Sequence, residues 1–274
     1  MSISNHYQTL ICGATFAGIG MAVSQPTSTF IVESSSSVGT DFIACLNPGR
    51  HWDLTLQSEH GQDLRQEMRN RNLLTEDGSV HLPGLYPLLC ERIHRAKLNV
   101  LFLTDIVKVE RMQGSYEVTL HNVSGFTKIR VEQIIDTTTA RLSVIGAKQL
   151  PISKKINAYI DASEAGAVIP SLSEDPNVEI LQGRFTSEFI CKLTISPEDD
   201  WLSARRKLNE YWQSRPEGLQ SWRITSIASA FELETAPAES ISDSWRLVPS
   251  SAFANPLIAF DSKMEQPAGK GEIA

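Results

Sequence analysis

Gly13-Ala14-Thr15-Phe16-Ala17-Gly18 and, 20 residues beyond Gly13, Glu33 are the residue types whose spacing could do chemistry in this chain of 274 residues. The run stands between an apolar stretch and a small-residue stretch, which is where a dinucleotide fingerprint has to lie. Its first glycine permits a tight turn, its last lets a helix pack close to a strand, and the unpaired N–H groups of the helix start attract a pyrophosphate. Thr15 occupies the middle glycine position, where its branched side chain narrows the approach while its hydroxyl can donate to a phosphate. Glu33 closes the next apolar run, where a carboxylate can accept both ribose hydroxyls of an adenosine. Ser34-Ser35-Ser36-Ser37 supplies no arginine, so a 2′-phosphate would meet a carboxylate without a cation and NADP is disfavoured. The competing readings are an ordinary strand-to-helix turn and a solvated strand-end charge.

These residues need elements to position them. Residues 7–12 form a short apolar run stopped by Gly13, 17–24 a small-residue helix ended before Pro26, and 27–33 a second β-branched run. Parallel strands need a crossover of a dozen or so residues, so the opening reads as a βαβ unit. Residues 34–84 are polar and irregular apart from a helical candidate at 63–72. An amphipathic helix follows at 85–97, with Leu85, Leu88, Leu89 and Ile93 on one stripe. A strand at 99–103 precedes runs at 106–111, 116–121 and 127–131, separated by the hairpin signals Gln113-Gly114-Ser115 and Ser124-Gly125. They read as a β-meander, with 132–136 as a further strand ending in Thr137-Thr138-Thr139. In the second half, 185–195 alternates strand formers, 197–214 carries a helix with Trp201, Ala204, Leu208 and Trp212 on one side, and 219–231 looks extended. The tail at 264–274, with Pro267-Ala268-Gly269-Lys270-Gly271, reads as frayed.

Composition narrows the function classes. Twenty-five Lys+Arg against 32 Asp+Glu give a net charge of −7, so no nucleic-acid or anionic-membrane partner is expected, because an acidic surface gains no counterion release from a polyanion. Hydrophobic residues at 41% and charged residues at 21% fit one large globular domain or two modest ones. No stretch approaches the ~20 apolar residues of a membrane span, and the first residues lack a cationic region followed by an apolar run, so a cytoplasmic location is expected. Four scattered cysteines and six histidines show no metal-ligand spacing, and no metal is expected. Arg50-His51-Trp52, after Asn47-Pro48-Gly49, could form a small site beside a cofactor or substrate; the alternative is a packed loop anchored by Trp52. No nucleophile, acid or base is assigned.

The order of parts resembles the flavoprotein oxidoreductases built like glutathione reductase, the FAD-dependent oxidoreductases, most closely over residues 7–45 and 84–140. Gly13, Thr15, Phe16, Ala17 and Gly18 stand where that family holds the pyrophosphate, and Glu33 with Ser34 where it holds the adenosine ribose. Val38-Gly39-Thr40-Asp41-Phe42 is similar to its Gly-Gly loop with Thr40 as the second position, and Ile106 falls where it touches adenine through backbone groups. Asp136-Thr137-Thr138 matches the strand-end motif near the diphosphate, with Thr139 in place of its glycine. Asn255-Pro256-Leu257-Ile258-Ala259-Phe260-Asp261 matches a later segment more loosely and makes Asp261 a further candidate contact. The resemblance implies an α/β fold: a discontinuous Rossmann-like FAD/NAD(P)-binding domain with a β-meander (1–50, 84–160 and 246–274) and a smaller α+β substrate domain (51–83 and 161–245). It implies non-covalent FAD, hydride transfer from a small-molecule substrate, and leaves a protein partner or homo-oligomer open. Thr15, Thr139 and the short run after Asp261 favour an alternative, a non-catalytic or accessory subunit with a decayed cofactor cleft. The meander argues against a third, an NAD-linked dehydrogenase.

Overall fold

The computed structural model describes residues 6–146, 151–163, 175–235 and 238–264; the tail expectation at 265–274 lies outside the described residues. The first unit opens with β1 (His6–Cys12), α1 (Phe16–Ser24) and β2 (Thr29–Val32), continues with α2 (Glu59–Asn70), α3 (Leu85–Ala96) and β3 (Asn99–Leu101), and then runs through β4 (Asp105–Met112), β5 (Ser115–Asn122) and β6 (Gly125–Asp136). The second unit contains β7 (Ser153–Ala162), β8 (Val178–Gln182), β9 (Glu188–Ile195), α4 (Trp201–Gln213), β10 (Trp222–Ile227) and β11 (Glu232–Glu234). The chain then returns through β12 (Glu239–Ser242) and β13 (Trp245–Leu247) to a short helix, α5 (Pro256–Phe260).

β1 lies between β2 and β6, parallel to both, with Ile11 opposite Ile31 on one side and Ile135 on the other. β3 and β13 extend the parallel sheet at its two edges. A strand buried on both faces has no polar side, which is why β1 and β2 read as continuous apolar runs. One face of this sheet packs on the helices, where Ile11, Ile19, Phe42, Leu64 and Leu89 share a core. The other face packs under the meander, where Leu10, Phe30, Val118, Ile129 and Ile134 share another. The expected α/β architecture, with its parallel Rossmann-like order and meander, is what the chain adopts.

Three readings change. The strands expected at 127–131 and 132–136 are one 12-residue strand, β6. Its first half pairs antiparallel with β5, Ile129 opposite Val118, and its second half parallel with β1, Ile134 opposite Leu10. The partner changes while the chain runs on, and no turn residue separates Val131 from Glu132. α2 starts at Glu59 rather than 63, because the Ser58 hydroxyl caps it by accepting from the Gly61 N–H at 3.0 Å. The stretch 51–83, expected with the second domain, instead sends Leu56, Leu64, Met68, Leu74 and Leu82 into the first unit's core.

The second sheet, ordered β10-β7-β9-β8 with β11 also on β7, is antiparallel. α4 covers one face, burying Ala204 and Leu208 with Ile156, Cys191 and Trp222. From the other face Tyr159 and Ile190 join the first unit's core. Among the described residues no helix is long and apolar enough to cross a membrane.

Candidate functional site

Three parallel strands end together. The Gly13 N–H donates to Val32 O at 2.8 Å and the Thr137 N–H to Cys12 O at 2.9 Å, tying the ends of β1, β2 and β6. Gly13 turns with φ +98°, and a Cβ there would stand 2.7 Å from the Thr138 methyl, so only glycine makes this turn. Glu33 is 6% exposed. One carboxylate oxygen accepts from the Ala14 N–H at 2.8 Å and the other from the Ser35 N–H at 2.7 Å. Asp136 is buried; it accepts from the N–H and hydroxyl of Thr138 and from the Ser143 N–H. Burial still raises its carboxyl above the usual range, against those donors. Gly13, Glu33 and Asp136 therefore meet at the carboxyl edge of the sheet, where open α/β sheets carry their ligands.

The start of α1 is furnished by the chain itself. Thr15 is the N-cap: its hydroxyl oxygen accepts from the Gly18 N–H at 3.0 Å and donates to Thr137 Oγ1 at 2.7 Å, which in turn donates to Cys12 O. The Ala17 N–H donates to the Ser250 hydroxyl at 3.2 Å. Asp41 comes in on the loop after β2, which is fastened over the fingerprint by the Gly39 N–H donating to Ala14 O at 2.9 Å. Its two carboxyl oxygens are buried and reach no hydrogen-bond partner at good geometry. Burial pushes the Asp41 carboxyl up to about 6; the nearby Ser250 hydroxyl and Phe16 N–H oppose this, and the charge of Glu33 adds to it.

A cavity of about 510 Å³ opens at this corner, lined by Thr15, Glu33, Thr40, Asp41 and Thr138 from the first unit and by Phe231 from the second. Its volume lies within the roughly 300–1,000 Å³ of small-molecule sites. For an adenosine diphosphate its two halves differ. The Glu33 half fits: the carboxylate is fixed by two amides, and each of its oxygens keeps a lone pair for a ribose hydroxyl. The α1 half has its amides at Ala17 and Gly18 partnered by Ser250 and Thr15, hydroxyls that can turn, and has the Asp41 carboxyl close to the Phe16 N–H and the Ser250 hydroxyl.

Of the residues singled out by sequence, Gly13, Thr15, Glu33, Ser34, Thr40 and Thr138 are brought to this corner. Phe16, Ala17, Gly18, Gly39 and Thr137 are buried and do not line it; Phe16 packs edge-on against Phe42 with ring centroids 5.7 Å apart. Ile106 sits opposite Leu120 in the meander, outside the cavity lining. Asp261 is a correction: its carboxylate accepts from the Gln57 and Ser58 N–H groups at 2.6 and 2.7 Å, so it fastens the start of α2. Asp41 and Ser250 were missed. The acid beside Gly39-Thr40 was a signal for the first, and nothing local marks Ser250, 233 residues from Ala17.

The Arg50 loop borders a second cavity of about 230 Å³, with Asn47, Lys155, Lys192, Glu232 and Ser251. Lys192 is 3% exposed and reaches Glu232 and Asn47 Oδ1, each at 2.8 Å, while Arg50 pairs with Glu179. His51 points to solvent, and Trp52 packs on the first core as the packed-loop reading expected.

No protein-family model and no curated protein matches the chain by sequence. Solved structures do match by fold. A p-nitrophenol 4-monooxygenase from Pseudomonas putida aligns with a TM-score of 0.60 at 12% identity, over 93% of this chain and 75% of that one. A geranylgeranyl bacteriochlorophyll reductase-like protein from Thermoplasma acidophilum gives 0.62 at 12% identity, over 94% and 76%. An aklavinone-11 hydroxylase, solved in a ternary complex with FAD and aklavinone, gives 0.55 at 12% identity, over 94% of this chain but 61% of its own length. At these identities the likeness is one of fold.

Proposed function

We propose that this chain is an FAD-binding oxidoreductase that acts on a small molecule, with the flavin's adenosine diphosphate held at the corner of β1, α1 and β2. The observation that carries the reading is Glu33, locked by two amides at the rim of the strand-end cavity. It is supported by the fold shared with a monooxygenase, a hydroxylase solved with FAD and a reductase-like protein. In this assignment Glu33 accepts the ribose hydroxyls, and Gly13, Thr15 and the amides of α1 face the diphosphate. Bound FAD would supply hydride acceptance, and the second unit contributes Phe231 and Leu233 to the cavity lining. A second reading, a non-catalytic subunit that keeps the fold, is favoured by one observation: the anion seat at α1 already holds Asp41 and Ser250.

The absorption spectrum of the purified protein, and of the supernatant after denaturation, tests the assignment. A flavin spectrum with FAD released supports it. A colourless protein that takes up no added FAD at either pH 5 or pH 7.5 sinks it in favour of the second reading.

A further inference from the structure

The seat at the start of α1 suits an anion, since a helix N-terminus presents unpaired N–H groups and the positive end of the helix dipole. α1 has 9 residues and no acidic side chain in its first turn. The anion it faces is Asp41, which arrives from the loop after β2. Its two carboxyl oxygens are enclosed and it lines the 510 Å³ cavity; the Ser250 hydroxyl and Phe16 N–H stand near it but make no well-formed hydrogen bond with it. A carboxyl with a structural task is normally paired, as Asp136 and Asp261 are here. The groups that face Asp41 are Glu33 from the end of β2, the Phe16 N–H of α1 and the Ser250 hydroxyl. Its own loop adds Cys45, whose thiol burial pushes up. No cation is among them.

We infer that Asp41 is a built-in competitor for the anion seat of α1, and that the corner admits a ligand diphosphate only once this carboxyl is neutral or withdrawn. The inference rests on the FAD assignment above and makes Asp41 the residue that sets when the cofactor can load. Two negative groups cannot share one buried seat without a counter-ion, so a diphosphate selects the protonated side chain. With burial holding the carboxyl near 6, that form is common at pH 5 and scarce at pH 7.5. The diphosphate itself stays ionised across this range, so the linkage belongs to the protein.

FAD titrations of the wild type, Asp41→Asn and Asp41→Ala at pH 5 and 7.5, with folding checked by circular dichroism, test this. Wild-type affinity should fall about thirtyfold between the two pH values, the single-proton limit for a group titrating near 6. Asp41→Asn should bind equally well at both, and at pH 7.5 more tightly than the wild type; Asp41→Ala should do the same. Equal affinities for the wild type and both variants at pH 7.5 would overturn the competitor role and leave the FAD assignment standing. Absence of binding by all three proteins at both pH values would overturn the role together with the assignment.

Discussion

Two carboxyls a few residues apart illustrate how surroundings divide the same chemistry. Glu33 is buried with both oxygens accepting amides at 2.7–2.8 Å, while the enclosed carboxyl oxygens of Asp41 make no well-formed hydrogen bond. Hydrogen bonds to a charged acceptor contribute about 1.5–3 kcal/mol each, and orphaned buried donors cost a similar amount. Glu33→Ala is therefore expected to lower unfolding free energy by about 2–4 kcal/mol in urea titrations, besides abolishing adenosine recognition. Asp41 acts in the opposite direction. Its folded-state pKa is raised from 3.8 to about 6, so the protonated form stabilises the fold below about pH 4, and that contribution is lost as pH rises through 6. Relative to the wild type, Asp41→Asn should gain roughly 2–2.5 kcal/mol of stability between pH 4 and pH 7.5 without ligand. Thermal melts at the two pH values read this directly, and parallel melting curves would show that Asp41 is already charged or solvated in the fold.

At the level of elements, what could be read from sequence was what local chemistry encodes. β1, α1 and β2 announced themselves through Gly13, Gly18 and two apolar runs, and the meander through Gly114 and Gly125. β7 and β8 escaped because mixed apolar and polar residues such as Lys154, Asn157 and Glu179 hide strands whose burial depends on a partner sheet. α5 could have been found from Asn255-Pro256, since the asparagine caps it by accepting from the Ile258 N–H and proline takes the first helical position. Ser250 stayed invisible for a different reason, since it meets α1 across most of the chain, whereas Asp41 had a local signal in the Gly39-Thr40 loop. α5 also sets how close α1 can approach, because a Cβ on Gly20 would stand 1.9 Å from Phe260 O, a backbone atom with no rotamer to yield. Gly20→Ala should therefore cost about 1–3 kcal/mol by overpacking, despite the better helix propensity of alanine. A urea midpoint that rises in this variant would contradict so close a contact between the two helices.

On the scale of the whole molecule, the two sheets are joined by polar contacts, some buried and some exposed, as well as by shared apolar core. Asn157 of β7 donates to Cys45 O at 2.7 Å and to Glu232, the Ser229 N–H donates to Ala44 O at 2.9 Å, and Arg184 bonds Asn72. Lys192 ties Glu232 of β11 to Asn47 of the first unit. If the second unit moved as a free body, Lys192 would lose Asn47 and Asn157 would lose Cys45 O, although both would keep Glu232. The chain is therefore expected to unfold in one transition, with tryptophan fluorescence and far-ultraviolet circular dichroism coinciding, since Trp222 reports the second sheet and Trp52 the first core. Lys192→Met leaves the partly buried Glu232 with Asn157 and the more distant Lys155 alone and should cost about 1.5–3 kcal/mol. Adding Glu232→Gln removes the carboxylate charge and should recover part of the loss, which a double-mutant cycle measures. If Lys192→Met instead split the unfolding curve into two steps, the Lys192–Asn47 contact would be what couples the sheets, and the apolar contacts of Tyr159 and Ile190 would be insufficient alone.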